Sequence, residues 1–401
     1  QLKETGTQEA ENLLEEIFRQ GLIDIEDLPP ALKEKILLER LTDKFLKFTE
    51  QFFEQLDQAK EKERFLAMAG AFVKMIPELI RRDRYSEVLR IIETFRKHFH
   101  LKKMWGLLAG HVLEEIGSGP VPEMLTEKFL TGKKEVRSAI IPLFVSLEIG
   151  AIPHLLTVLR KSDDQWVRKN ACEVLIQIGP VAAAHLLKEL EEQQISADTT
   201  CDIFRVLGEI KSQEWKGPLM SILKRNANHE SPRLREQVLA SLFQIGGKEG
   251  EEIYLSGLND SSLEVRKRAI WCLGMMKSSR GTERMLDLLK QISTTPAPET
   301  EPIEIQIYHA LGFAGPMTHE GATTEQVLLD ILQKRGMKQW WGLVQKNPLP
   351  EEAIGAICET LGKIGTGESI KILTKLGKSK EGSEIPKIKE AIKKIEGRIQ
   401  K

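Results

Sequence analysis

Few residues in this chain are spaced for catalysis. The run nearest to a phosphate cradle, Gly246-Gly247-Lys248, lacks the GxxxxGK[ST] spacing whose backbone amides wrap a polyphosphate, and reads as a connector. His98 and His100 are two positions apart and so face different directions on a helix. His154 and His185 fall in successive repeats without the carboxylate or thiolate company that a transition metal needs. No nucleophile stands beside a base. The four cysteines, Cys172, Cys201, Cys272 and Cys358, lie among apolar neighbours with no CxxC pair. That predicts buried reduced thiols and a cytoplasmic setting rather than zinc or disulfides. Catalytic residues, metal and cofactors are therefore all expected to be none.

The residues best suited to recognition are Trp340 and Trp341, set among Lys334, Arg335, Lys338 and Lys346. Successive side chains on a helix point about 100° apart, so one ring is hard to bury. Tryptophan flanked by basic residues is a common hot-spot composition at interfaces. Trp340, Trp341, Lys338 and Lys334 are the candidate partner-binding residues. The alternative is that one ring fills an irregular repeat while the other lies flat on the surface.

The elements that would position them come from a recurring phrase: an apolar residue, then Arg, then a helical run closing on Leu-Gly or Ile-Gly. It reads Val136-Arg137 to Gly150, Trp166-Val167-Arg168 to Ile178-Gly179, Leu234-Arg235 to Ile245-Gly246, and Val265-Arg266 to Leu273-Gly274. A period of roughly 30 to 40 residues is the mark of stacked helical units that bury their apolar faces against their neighbours. Apolar spacing predicts first helices at 134–149, 165–178, 197–210, 232–245, 263–276, 302–314 and 350–364. Their partners are predicted at 152–160, 181–192, 214–225, 248–258, 281–292, 324–333 and 368–378. Gly150, Gly179, Gly246, Gly315 and Gly365 are expected to end first helices in the left-handed conformation, and Pro153, Pro180, Pro302 and Pro350 to sit near helix starts.

The motifs SDDQWVRKNACEVLIQIG at 162–179, SPRLREQVLASLFQIGGKEG at 231–250 and NDSSLEVRKRAIWCLGMM at 259–276 resemble HEAT repeats, in the short bacterial, phycobilisome-lyase-type form. The resemblance covers roughly 133–378. It implies an all-α fold, an α-α superhelix or HEAT-like solenoid of stacked antiparallel helix pairs. It also implies an Asp–Arg ladder between repeats, carried here to Asp260, Arg266 and Arg168. Arg137 and Arg235 fit the Arg position without an Asp at the matching place.

The expected organisation is an atypical helical cap over 1–131, repeats over 132–378 that become irregular after 292, and a basic helix or cap over 379–401. In the cap, Leu38, Leu41, Phe45, Phe48 and Phe52 line one long helix from Pro30 to Ala59 with seam-like spacing. They either pack on Phe65, Phe72, Met75 and Leu79 or form a dimer seam. The stretch STTPAPETEP at 293–302 is expected to be an exposed loop. The chain opens at Gln1 without a Met, as a piece of a longer protein would.

With 41% hydrophobic and 29% charged residues, the composition is that of a soluble folded protein. No apolar run is expected to span a bilayer. A formal net charge of −1 argues against a nucleic-acid groove. The second helices carry both signs, with His185, Lys188 and Glu189, then Lys216 and Lys224, then Glu251 and Glu252, which suits a protein surface. The expected function is a non-enzymatic protein-protein interaction scaffold. The alternatives are a DNA-alkylation-glycosylase-like role, for which Asp287 and Asp330 would supply carboxylates although Glu283 and Glu325 lie nearby, and a chromophore-lyase or chaperone role.

Overall fold

The structure, a computed structural model, describes residues 12–192, 195–294, 300–319, 322–335, 339–340, 343–344, 348–378 and 385–400. It is all-α, of the helical-repeat, α-α superhelix class, and 82% helical. The chain divides into two compact units, Gln1–His185 and Leu186–Lys401.

In the first unit a leading helical segment at 12–19 precedes α1 (Pro30–Lys47), α2 (Thr49–Asp57), α3 (Lys62–Arg81), α4 (Tyr85–His100), α5 (Gly106–Ser118), α6 (Val121–Thr131), α7 (Lys134–Leu147), α8 (Ile152–Lys161) and α9 (Gln165–Ile178). Helices α4, α7 and α9 pack side by side as one layer, so the repeat architecture starts earlier than the sequence phrase does. Asp164 caps α9 by accepting from the amides of Trp166 at 2.8 Å and Val167 at 3.3 Å, which satisfies donors that a helix start leaves open.

The expected single helix over 30–59 is broken. Phe48, at φ −129° and ψ 38°, separates α1 from α2, and its ring is exposed. The turn lets Phe45, Phe52 and Phe53 converge on Phe72 of α3. Phe45 meets Phe72 edge-on at 5.7 Å, Phe53 stacks on it at 5.2 Å, and Phe95 of α4 closes the cluster at 6.1 Å. An aromatic cluster offering edge-to-face and offset contacts thus takes the stripe that a straight seam would have presented to a second chain.

In the second unit one layer holds α11 (Ala197–Ile210), α13 (Pro232–Gly246), α15 (Leu263–Met275), α17 (Glu301–Ala314), α19 (Glu351–Ile364) and α21 (Pro386–Ile399), each packed on the one before. The other layer holds α12 (Lys216–Arg225), α14 (Glu251–Gly257), α16 (Ser279–Thr294), α18 (Thr324–Arg335) and α20 (Gly367–Gly377). Helix α10 (Pro180–Glu192) carries the boundary between the units. Two short antiparallel ladders interrupt the helices: β1 (Thr318–His319) with β2 (Ala322–Thr323), and β3 (Gln339–Trp340) with β4 (Leu343–Val344).

The glycines of the recurring phrase act differently from expectation. Gly179, at φ 78° and ψ −141°, and Gly315, at φ 92° and ψ −175°, are C-caps with positive φ, outside the left-handed helical region. Gly246 lies within α13, Gly365 is extended, and Gly150 sits in a 3-10 turn. Inside α15, a Cβ on Gly274 would fall 2.8 Å from the Ala310 backbone. There the Leu-Gly pair marks close approach of neighbouring helices rather than a helix end.

The Asp–Arg ladder also has another register. Arg235 grips Asp260 of the following repeat through two bonds of 2.7 Å, and Arg137 lies 3.7 Å from Asp164 of its following repeat. Arg266 turns back to the carbonyl oxygens of Asp260, at 2.6 Å, and Ser261, and Arg168 to those of Leu159 and Ser162. So the Arg residues without an Asp in their own repeat form the cross-repeat rungs, and the partner lies one repeat on.

Among the described residues one helical run is apolar enough to cross a membrane by length and composition, contrary to expectation: Lys134–Lys161, with a window of mean hydropathy 1.8 that is 50% buried. In the fold it is α7, a 3-10 turn and α8, with Glu148 at φ 49° in the turn. Ile140, Leu143, Phe144, Leu155 and Leu159 are buried.

Candidate functional site

The sequence-derived site is only partly within the described residues. Lys338 and Trp341 lie outside them. The Trp340 backbone belongs to β3 and pairs with Leu343, so the helical premise that separated the two rings does not hold. Its side chain lies outside what the structure describes. Lys334, on the last turn of α18, is exposed and donates to Asp330 at 2.7 Å. Nothing described brings the four together.

The weaker candidates resolve clearly. His98 is buried while His100 is exposed. His154 is held below the ordinary imidazole value by burial, and His185 turns its Nδ1 to the Val181 carbonyl at 3.1 Å. Among the described residues, no group of three or more His, Cys, Asp or Glu could hold a metal ion. Gly247–Gly250 is a 3-10 connector. Glu325, read from the sequence as a carboxylate that argues against a phosphate groove beside Asp330, is buried and accepts from the Thr366 amide at 2.6 Å and the Ser369 hydroxyl at 2.6 Å, so it braces the start of α20. Burial pushes the thiols of Cys201, Cys272 and Cys358 up to about 11, 12 and 12.

The surface that stands out lies in the first unit, at the corner between α4 and α5. Phe99, Leu101, Met104 and Leu107 are 43%, 63%, 75% and 80% exposed. Two concavities adjoin them, of about 510 Å³ and 820 Å³, and both are lined by Phe99 and His100. The first continues over Leu113, Leu147 and Ile149; the second runs over Met104, Trp105 and Leu107. The 820 Å³ concavity is also lined by Lys62, Lys102, Lys103 and His111, with no carboxylate. Lys62 and Lys102 make no ion pair among the described residues.

Local structure fixes this corner. Helix α4 ends at His100 with Leu101 as its C-cap, and Lys102 adopts φ 47°, a strained turn for a residue with a Cβ. The amide of Lys103 donates to the His98 carbonyl at 3.1 Å, and Gly106 to Lys103 at 2.8 Å. Gly110 leaves room for Phe99, since a Cβ there would stand 3.0 Å from the ring. Trp105 donates its indole N–H to the Ala59 carbonyl at 2.9 Å. His98 Nε2 donates to Asp57 at 2.8 Å, and Lys103 Nζ reaches the same oxygen at 2.8 Å. Burial holds the His98 imidazole below its ordinary value against the pull of Asp57. The Asp57 carboxyl would rise on burial, but hydrogen bonds from Lys103 and His98 outweigh that and keep it low. On the other wall, Arg96 ties Glu148 at 2.5 Å and Glu93 at 3.0 Å. The turn is therefore pinned from several sides while its apolar side chains stay in solvent.

Sequence reasoning missed this surface because it read 1–131 only as a helical cap. A signal was present. The stretch from Thr94 to Leu113 holds no Asp or Glu but four basic residues, Arg96, Lys97, Lys102 and Lys103. Leu101 and Met104 fall in its turn rather than on a helix stripe.

The family model for HEAT repeats matches residues 218–301. No curated protein matches the chain. Among solved structures, the chain is similar to an engineered protein, at 14% identity over 88% of this chain and 98% of that one, with a TM-score of 0.33. It is similar to Kap121p bound to Nup53p at 13% identity, over 94% of this chain and 45% of that one, with a TM-score of 0.48. It is also similar to human deoxyhypusine hydroxylase in complex with glycerol, at 15% identity over 73% of this chain and all 100% of that one, with a TM-score of 0.28. At such identities, and with TM-scores of 0.48 or less, these likenesses carry no argument about this chain.

Proposed function

We propose that the chain is a non-enzymatic protein-interaction module, and that the corner between α4 and α5 is its contact surface. Helical-repeat proteins serve as extended surfaces for partners. The observation that carries this reading is the set of exposed apolar side chains, Phe99, Leu101, Met104 and Leu107, gathered over two adjoining concavities. Apolar side chains gathered at a concavity and rimmed by polar residues mark interaction sites. An apolar centre suits a protein partner better than it suits phosphate, so a nucleic-acid or glycosylase-like role finds no support here. The four buried thiols support a reducing, cytoplasmic setting. The short bacterial, phycobilisome-lyase-type repeat remains the finer reading of 162–179, 231–250 and 259–276.

The test is capture from the native source with the wild-type chain and with Leu107→Asp, read by mass spectrometry. Leu107 is 80% exposed, so the variant should melt like the wild type. A protein retained by the wild type and lost by the variant supports the reading. An identical set of captured proteins overturns it.

A further inference from the structure

Resting on that reading, we infer that the occupant of the corner between α4 and α5 is an acidic amphipathic protein segment. Its apolar side chains enter the two concavities on either side of Phe99, and its carboxylates lie along Lys62, Lys102 and Lys103.

The two concavities are chemically unequal. The smaller one has no basic excess, because its lining sets Arg96 against Glu148 and Glu114. The larger one is lined by three lysines and two histidines with no carboxylate. Lys103 is engaged with Asp57, whereas Lys62 and Lys102 have no counter-charge among the described residues. A basic excess here, in a chain of net charge −1, gives direction to association: complementary charge steers an acidic segment in and discriminates against basic ones. The apolar floor then supplies affinity, since Phe99, Met104 and Leu107 lose their exposure only when something covers them.

Concavity decides between a protein segment and an anionic membrane, the other surface that would meet apolar and basic residues together. A helix that rests on a bilayer presents one continuous apolar face. Here Phe99 stands as a wall shared by two hollows, pinned over Gly110, and hollows of a few hundred cubic ångströms accept discrete side chains.

The experiment displays random short peptides against the full chain and sequences those retained. The expected result is enrichment of Asp and Glu beside Leu, Phe, Ile or Met. Binding of the enriched peptides should weaken about tenfold in the double variant Lys62→Glu, Lys102→Glu and again as salt rises to about 0.5 M, where screening falls to a few ångströms. Both lysines are exposed, so the helical signal should be unchanged. Peptides with Glu exchanged for Lys should regain binding to the charge-reversed chain. Enriched peptides that need Leu107 but show no acidic bias and ignore the lysine reversal overturn the acidic partner while leaving the contact surface standing. Peptides indifferent to both Leu107 and the lysines overturn both. Sedimentation of the chain with phosphatidylserine-rich vesicles, abolished by Leu107→Asp, overturns the inference in favour of a membrane surface.

Discussion

Gly274 and Gly397 are both helical glycines, yet a methyl group meets opposite surroundings at the two places. At Gly274 the neighbouring helix is already at contact, whereas nothing lies within 4 Å at Gly397. Gly274→Ala should therefore destabilise the chain by about 1–3 kcal/mol, because the helices must move apart. Gly397→Ala should be neutral or stabilise by up to about 1 kcal/mol through helix propensity. Urea unfolding of the two variants checks this, and equal effects would rule out the close-approach explanation. His98 gives a second test at this scale. Its folded pKa lies below that of the unfolded imidazole, near 6.5, so between the two values the unfolded chain binds a proton that the folded chain does not. Stability then rises with pH through that window, is fully present above about pH 6.5, and falls on acidification. His98→Gln should flatten part of the decline in melting temperature below pH 6.5; an equally steep decline in the variant would exclude His98 as a source. Neither role was readable in the sequence. Gly274 looks like any helix-ending glycine until its neighbour is placed, and His98 looks like surface until the break at Phe48 brings Asp57 beside it.

Between elements, the rung from Arg235 to Asp260 joins α13 to the loop before α15, with both side chains 12% exposed. The Arg235 contact holds the Asp260 carboxyl below its usual range, opposed by burial and helped by the Ser262 amide. Its contribution is present above about pH 4 and is lost as pH falls through the lowered pKa. In a double-mutant cycle with Arg235→Ala and Asp260→Ala, the coupling should be about 1–3 kcal/mol. The corresponding cycle for Arg233 and Asp198, 58% and 60% exposed, should give under about 1 kcal/mol. Equal couplings would remove burial as the deciding factor. Most of these helices were legible in advance. The predicted first helix 197–210 is Ala197–Ile210, and the predicted 165–178 is Gln165–Ile178, because strong 3.6-residue periodicity and a capping residue speak locally. The break at Phe48, the 3-10 entry to α14 and the strand pairs at 318–323 and 339–344 were not legible. Each depends on a neighbour that periodicity does not see.

For the whole chain, units that bury their faces only against neighbours predict that damage stays local. Val265 is 2% exposed, so Val265→Asp places an unpaired charge in the stack, at a cost of several kcal/mol. Hydrogen exchange should accelerate through 232–314 well before it does through 65–100; uniform acceleration would contradict nearest-neighbour stability. The proposed contact surface illustrates why fold was easier to read than function. A repeat announces itself several times along the chain, while Phe99, Leu101, Met104 and Leu107 occur once, at a turn, and become a surface only when Gly110 seats the phenylalanine. The same architecture distributes its cysteines in a useful way. Cys172, Cys201, Cys272 and Cys358 sit in four different helices, α9, α11, α15 and α19, all buried, and only the exposed thiolate reacts. Each thiol is then a native clock for one repeat. The time course of alkylation at each position would report how often that stretch breathes open, with no probe added to the chain.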